Sequence, residues 1–340
     1  MNQLRWGILG TGNIAHQFAN GVAGARRGRV VAVGSRAGAS AEAFAREFDL
    51  PRAHGSYEAL LADGDVDAVY ISLPNSMHCD WTIRALEAGK HVLCEKPIAA
   101  SAAEAERMFD AAQRHGRVLV EALMYRSHPL TQAVMQHIHD GAIGQLKLIR
   151  ASFCFRTTRT NAGENIRFDA NLAGGALMDI GCYCLSLARL VAGEAPVEAQ
   201  GMTHLHDSGV DDYAVGTLRF GSGLLATFAC GMTVQANNTA FVCGDEGYIE
   251  IPVPWKPPQT GARYTIGTMT PPRQDSAGQG MPPRREHTVD APLPLYGLEA
   301  DDFAATVLDG APPVVTAEES IDNMRLLDAL REPQSSGRVW

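Results

Sequence analysis

Over its first third the chain alternates short, nearly continuous apolar runs with segments of helical period. The runs near Leu4–Leu9, Val30–Gly34, Val69–Leu73, His91–Cys94 and Val118–Ala122 predict strands. Between them, a helix through Phe18 and Val22 and helices at Ala41–Phe48, Tyr57–Leu61, Trp81–Ala88 and Ala102–His115 follow from steps of three and four. Strands apolar on both faces, each followed by a helix, predict a doubly wound parallel sheet. After residue 122 the pattern changes. A helix at Leu130–Asp140 and a strand at Gln145–Phe155 lead to strands near Val197–His204, Tyr213–Phe220, Gly223–Met232, Thr239–Cys243 and Tyr248–Ile251. Their apolar–polar alternation predicts an antiparallel sheet with one face covered and one open. Residues 252–285 hold eight of the eighteen prolines, which predicts a long loop or a loosely paired hairpin rather than core. Such a segment would cover a cleft or reach a neighbour. Helices near Leu298–Leu308 and Ala317–Leu330 close the chain. Two domains are expected, 1–122 and 123–340, each long enough for its own core.

In the middle of the chain stands Gly174–Cys184, GGALMDIGCYC. An apolar row at Leu177, Ile180, Cys184, Leu187, Ala188 and Val191 has helical period. Asp179 and Tyr183, four apart, share another face of that helix. Alone, the pair reads equally well as a carboxylate complementing the helix dipole and a ring that packs.

The strand ending at Leu9 runs into Gly10-Thr11-Gly12-Asn13-Ile14-Ala15, a G-x-G-x-x-A turn that opens a helix. The first glycine permits the tight turn, the second lets a pyrophosphate approach the backbone, and the small third residue allows close helix–strand packing. The helix N-terminus offers N–H groups to the phosphates. At the end of the second strand, where an acid would bind a ribose 2′-hydroxyl, the chain has Ser35-Arg36 and no acid before Glu42. Arg36 suits an adenine face and a 2′-phosphate, with Ser35 donating beside it. NADP is therefore the expected cofactor. Three later strand ends carry polar groups at the sheet edge where ligands bind: Leu73-Pro74-Asn75 with His78, Glu95-Lys96-Pro97, and Glu121 followed by Tyr125-Arg126.

Composition narrows the class. Hydrophobic residues are 46% and charged residues 20%, which excludes a disordered chain. A net charge of −9 with no basic run argues against nucleic acid as a partner. The first strand begins by Leu4, leaving no space for a signal peptide, and no apolar run is expected to approach 18 residues, so no membrane is invoked. Seven cysteines without a C-x-x-C pair read as reduced core residues, and a cytoplasmic enzyme is expected. His137-x-His139 and His204-x-His206 lack the spacing and third ligand of a zinc site, so no metal is expected.

The segments GILGTGNIA, SLPNSMH, CEKPIA, EALMYRSHP, NIRFDANLAGGALMDIGCYC and VDDYAVGTLRF together resemble the glucose–fructose oxidoreductase/inositol dehydrogenase family, over roughly residues 4–250. Within it the chain looks most like the branch of dimeric dihydrodiol dehydrogenases and NADP-dependent D-xylose dehydrogenases. The resemblance implies a Rossmann domain followed by an α/β domain with a large open sheet, often paired into dimers. It places Gly10, Gly12 and Ala15 in the nucleotide fingerprint and Ser35 and Arg36 at the 2′-phosphate. Pro74, Asn75 and His78 fall in a cofactor-contacting turn, and Lys96 and Pro97 in the motif beside the nicotinamide. Asp179 and Tyr183 match substrate and proton-transfer positions. Tyr183 stands where the inositol dehydrogenase branch has His, a departure from that branch. The expected chemistry is hydride transfer between NADP and a secondary alcohol or carbonyl of a sugar or polyol of the D-xylose or D-glucose type. Tyr183 is the expected acid–base, Lys96 lowers its pKa and binds substrate, and Asp179 orients a second hydroxyl or the Lys. Arg167 is expected at the cofactor or pocket wall, and Tyr125 and Arg126 at the substrate. A trans-dihydrodiol dehydrogenase, a 1,5-anhydro-keto-sugar reductase and a non-catalytic NADP-binding regulator are the alternatives. The expected assembly is a homodimer, or a tetramer, through the C-terminal sheet.

Overall fold

The computed structural model describes residues 3–268 and 283–332, so the middle of the proline-rich segment lies outside the described residues. Six parallel strands, β1 (Leu4–Leu9), β2 (Gly28–Gly34), β3 (Arg52–His54), β4 (Ala68–Ile71), β5 (His91–Glu95) and β6 (Leu119–Ala122), form one sheet in the order 3-2-1-4-5-6. Helices α1 (Asn13–Val22), α2 (Gly38–Glu47), α3 (Tyr57–Leu61), α4 (His78–Glu87) and α5 (Ala102–His115) connect them. The alternation read from the sequence is present, with one strand added. β3 occupies what reads as a polar turn, because only its backbone pairs with β2 and its side chains carry no apolar run.

The chain packs as two units. The first holds residues up to Ser127 together with Asp169–Gly174 and Pro292–Arg325; the second holds His128–Phe168, Gly175–Ala291 and the chain from Leu326. Two late segments thus pack with the first unit, although the sequence pattern groups everything after residue 122 together. The reason is aromatic. In α8 (Leu295–Asp309), Phe303 lies 5.0 Å from Trp6 of β1, while Phe18 of α1 stacks on Tyr70 of β4 at 3.7 Å. Trp6, Phe18 and Tyr70 are fully buried, and burial of side chains this size is worth about 1.5–3 kcal/mol each.

The second unit begins with α6 (Pro129–His139) and contains an eight-stranded sheet: β7 (Leu146–Cys154), β8 (Pro196–Leu205), β9 (Asp211–Phe220), β10 (Leu225–Gly231), β11 (Ala240–Gly244), β12 (Gly247–Ile251), β13 (Ala262–Thr268) and β14 (Arg284–Val289). The order is 14-13-12-11-7-10-9-8, antiparallel except where β7 meets β10. The helix α7 (Cys182–Ala192) lies against β7 and β10. The stretch Ala170–Ala192, which ends in α7, is long and apolar enough to cross a membrane by composition, contrary to the expectation from sequence, but 83% of its apolar window is buried as core. The opposite sheet face exposes apolar side chains. Met202 of β8 pairs with Val215 of β9, and they are 74% and 50% exposed. Tyr213 and Leu225 lie on the same face. α9 (Ala317–Arg331) ends the described chain.

The proline-rich segment is more ordered than a loop. β13 and β14 pair antiparallel across its described parts, and Trp255 is 2% exposed, its indole N–H donating to the Ser152 carbonyl at 2.8 Å.

Candidate active site

In the first unit the chemistry is carried by strand ends. Gly10 closes β1 at φ +104°, and a Cβ there would sit 2.9 Å from Ser72 Oγ, so only glycine fits the turn. Gly12 is the N-cap of α1. No side chain caps that helix, its first turn holds no acid, and a Cβ on Gly12 would meet nothing within 4 Å. Gly12 and Asn13 are exposed and Thr11 and Ile14 half-buried, so this helix start offers its amides to a pyrophosphate with no acid in its first turn. At the end of β2, Ser35 is buried, its Oγ accepting from the Ala37 amide, and Arg36 is exposed with its guanidinium bonded to the Tyr57 hydroxyl. These residues fit NADP.

The turns after β4 and β5 are pinned to one another by His78. It is fully buried, with Nδ1 2.9 Å from the Pro97 carbonyl and Nε2 2.8 Å from that of Leu73. Burial pushes the imidazole below its usual range and the Lys96 charge adds to the effect, against the pull of the two carbonyls. His78 has no surface to offer a cofactor, which corrects the expected contact: it holds the turn from beneath. Asn75 Nδ2 donates to the Ala173 carbonyl at 2.8 Å, and Leu73 and Pro97 are buried while Pro74 is half-buried.

The Glu95 carboxylate accepts from the Tyr70 hydroxyl inside the first core, a correction to its placement among cofactor ligands, whereas Lys96 is half-buried beyond the strand end. Arg126 also departs from the substrate wall expected for it. Tyr125 is 1% exposed, and Arg126 donates to the Val314 carbonyl at 2.9 Å and pairs with Glu319 at 2.9 Å. Their turn anchors the start of α9.

In the second unit the focus is the helix of GGALMDIGCYC. It does not start as an α-helix: Leu177–Gly181 is a single π-turn that passes into α7. Such turns are rare and concentrate at functional sites. Asp179 lies in the π-turn and Tyr183 in the first turn of α7. Arg167 Nε donates to Asp179 Oδ2 at 2.6 Å, and that carboxylate raises Arg167 further above its ordinary range, with Tyr183 contributing. Asp179 and Tyr183 are 14% exposed at the side chain and 3% overall.

Two residues here were not legible in the sequence. Phe153 of β7 and Trp255 stack 5.6 Å apart at 11°, and Tyr183 meets them edge-on at 5.4 Å and 6.1 Å. Phe153 sits in an ordinary strand pattern and Trp255 among prolines; the only available signal was a large aromatic in an otherwise polar stretch. Among the described residues no group of three or more His, Cys, Asp or Glu is placed to hold a metal ion.

Both parts of the chain match known proteins. Residues 4–123 match the model of an oxidoreductase family with an NAD-binding Rossmann fold, and residues 131–250 match the GFO/IDH/MocA C-terminal domain. The chain is 37% identical over 98% of both lengths to D-xylose 1-dehydrogenase (NADP(+)) 2 of Haloferax volcanii. It is 35% identical to trans-1,2-dihydrobenzene-1,2-diol dehydrogenase of Mus musculus over 75% of this chain and 76% of the relative. Among solved structures, a 3-ketoreductase from Actinomadura kijaniata in complex with NADP and TDP-benzene superposes with a TM-score of 0.84, at 31% identity and 97% coverage of both chains. A six-stranded Rossmann sheet, a large second sheet and these matches across both make the chain a member of the GFO/IDH/MocA oxidoreductase family.

Proposed function

We propose that this chain is an NADP-dependent dehydrogenase or reductase that acts on a secondary alcohol or carbonyl of an aldose or related polyol. The observation that carries the reading is the helix bearing Asp179 and Tyr183, where Arg167 holds the carboxylate and two aromatic rings flank the phenol. A regulator that only binds the nucleotide has no use for such an arrangement. The named activities of the D-xylose, dihydrodiol and 3-keto-sugar relatives support the substrate class.

Thr11–Ile14 would hold the pyrophosphate, Ser35 and Arg36 the 2′-phosphate, and Pro74, Asn75 and Lys96 the remainder of the dinucleotide, with Arg167 at its edge. NADP supplies the hydride acceptor or donor. The chain's own work is the proton. Tyr183 takes it from the substrate hydroxyl in oxidation and returns it in reduction. A phenol near pKa 10 needs a nearby cation to act at neutral pH, and Lys96 is the group proposed to supply it. Asp179 orients a second hydroxyl, and Phe153 and Trp255 meet the phenol edge-on and hold its ring in place. We further propose a cytoplasmic homodimer formed through the sheet face that exposes Met202, Tyr213, Val215 and Leu225.

The test is NADPH formation with D-xylose, D-glucose and cyclic trans-diols, with NAD⁺ run in parallel. Turnover of an aldose with NADP⁺ preferred is expected. Turnover of the diols alone would move the assignment to the dihydrodiol reaction. Cofactor binding with no turnover in either direction would overturn the enzymatic reading.

A further inference from the structure

Asp211 is the first residue of β9 and is 7% exposed, a residue that the functional reading leaves without a role. Its Oδ2 accepts the Leu177 amide at 2.7 Å, across 34 residues of sequence. The π-turn has no side-chain cap of its own, since Ala176 precedes it. A carboxylate delivered from another element therefore does the work of an N-cap and meets the positive end of the helix dipole.

Gly175 shows how tightly this contact is built. It stands at φ +119°, and a Cβ on it would lie 2.2 Å from Asp211 Oδ1. The same residue is a junction for the site. Its N–H donates to the Arg167 carbonyl at 2.9 Å, and its carbonyl accepts the Asp179 amide at 2.9 Å. One glycine, pressed against one buried carboxylate, thus sets the spacing of the two residues whose side chains pair at 2.6 Å.

We infer that Asp211 is a positioning residue for the reaction: its ionised carboxylate fixes the start of the helix and, through Gly175, the geometry of Arg167, Asp179 and Tyr183. The groups that face it are the Ala176 and Leu177 amides, Arg331 from α9 and the Cys230 thiol from β10. Burial raises its pKa to about 6, against the pull of the amides and Arg331. Turnover should therefore fall on the acid side as the carboxylate takes up a proton, while the fold does not.

The inference rests on the roles proposed for Asp179 and Tyr183, and the test keeps the two apart. In Asp211→Asn, which preserves shape, kcat should drop roughly 5- to 30-fold with KM for NADP within about two-fold. The acid limb of kcat near pH 6 should disappear, and the melting temperature at pH 7 should not fall. Asp211→Glu, with a longer reach to the same amide, should recover part of kcat and restore an acid limb. If Asp211→Asn keeps wild-type kcat and the same acid limb, the inference fails. If its melting temperature falls in step with activity, the residue is structural and the inference also fails. Should Asp211→Asn not fold, a wild-type kcat that stays level from pH 5 to 8 in folded protein would sink it. Turnover unaffected in Tyr183→Phe would instead overturn the functional reading beneath it.

Discussion

The two units carry their chemistry in different ways. In the first, the groups proposed to meet a ligand are mostly backbone: amides beside Gly10 and Gly12, and short turns at strand ends, with Arg36 as the main side chain. In the second they are side chains on a helix, held by partners far away in sequence, such as Asp211 below and Trp255 beside. A backbone site is written locally and tolerates substitution wherever the turn survives. A side-chain site depends on packing spread over the whole unit. Binding should therefore be disturbed through the first unit and turnover through the second.

The sharpest way to break that comparison is Tyr183→Phe. Turnover should drop about 10²- to 10⁴-fold, the usual worth of acid–base catalysis, while NADP affinity measured by fluorescence titration is retained. Loss of NADP affinity in this variant would erase the division between the units. Arg36→Ala is next. Losing a charge-assisted bond of about 1.5–3 kcal/mol should raise KM for NADP roughly 10- to 100-fold and leave KM for NAD and kcat unchanged. Equal losses for both nucleotides would show that Arg36 does not read the 2′-phosphate.

The smallest effect is expected at Arg126. Burial pushes Glu319 up, but Arg126 and the Thr316 amide outweigh it and hold the carboxylate below its ordinary range. The pair's stabilisation is therefore complete above the ordinary carboxylate pKa and is lost as pH falls through the lowered value. Arg126→Ala should destabilise the protein by about 1–3 kcal/mol in urea at pH 7, less at pH 3, with KM for the sugar unchanged. A raised KM would return Arg126 to the substrate wall.

The same contrast explains what the sequence could convey. The parallel sheet, the G-x-G-x-x-A turn and the Ser35-Arg36 pair depend on neighbours within a few residues, so periodicity and spacing reveal them. His78, Glu95 and Arg126 were legible as polar residues near strand ends but not by direction. Whether such a side chain faces a ligand or the core depends on partners elsewhere: the Pro97 carbonyl, Tyr70 and Glu319. The helix of Asp179 and Tyr183 was legible by period, yet its opening π-turn was not, because that turn is stabilised from β9. Trp255 was hidden by the prolines around it, which signal loop whatever the indole packs against.

The placement of Phe303 against Trp6 bears on how the protein is made. Residues 4–127 carry every strand of the first sheet, yet the core beneath β1 is sealed by an aromatic that arrives late in the chain. At about 5–20 residues per second of synthesis, the roughly 180 residues between Ser127 and Phe303 keep that core incomplete on the order of 10–35 s. During that interval β1 and α1 present Trp6 and Phe18 without their lid, and the second sheet has time to assemble first. A chain released before α8 would lose the nucleotide unit, although every residue proposed to hold the nucleotide had already been translated.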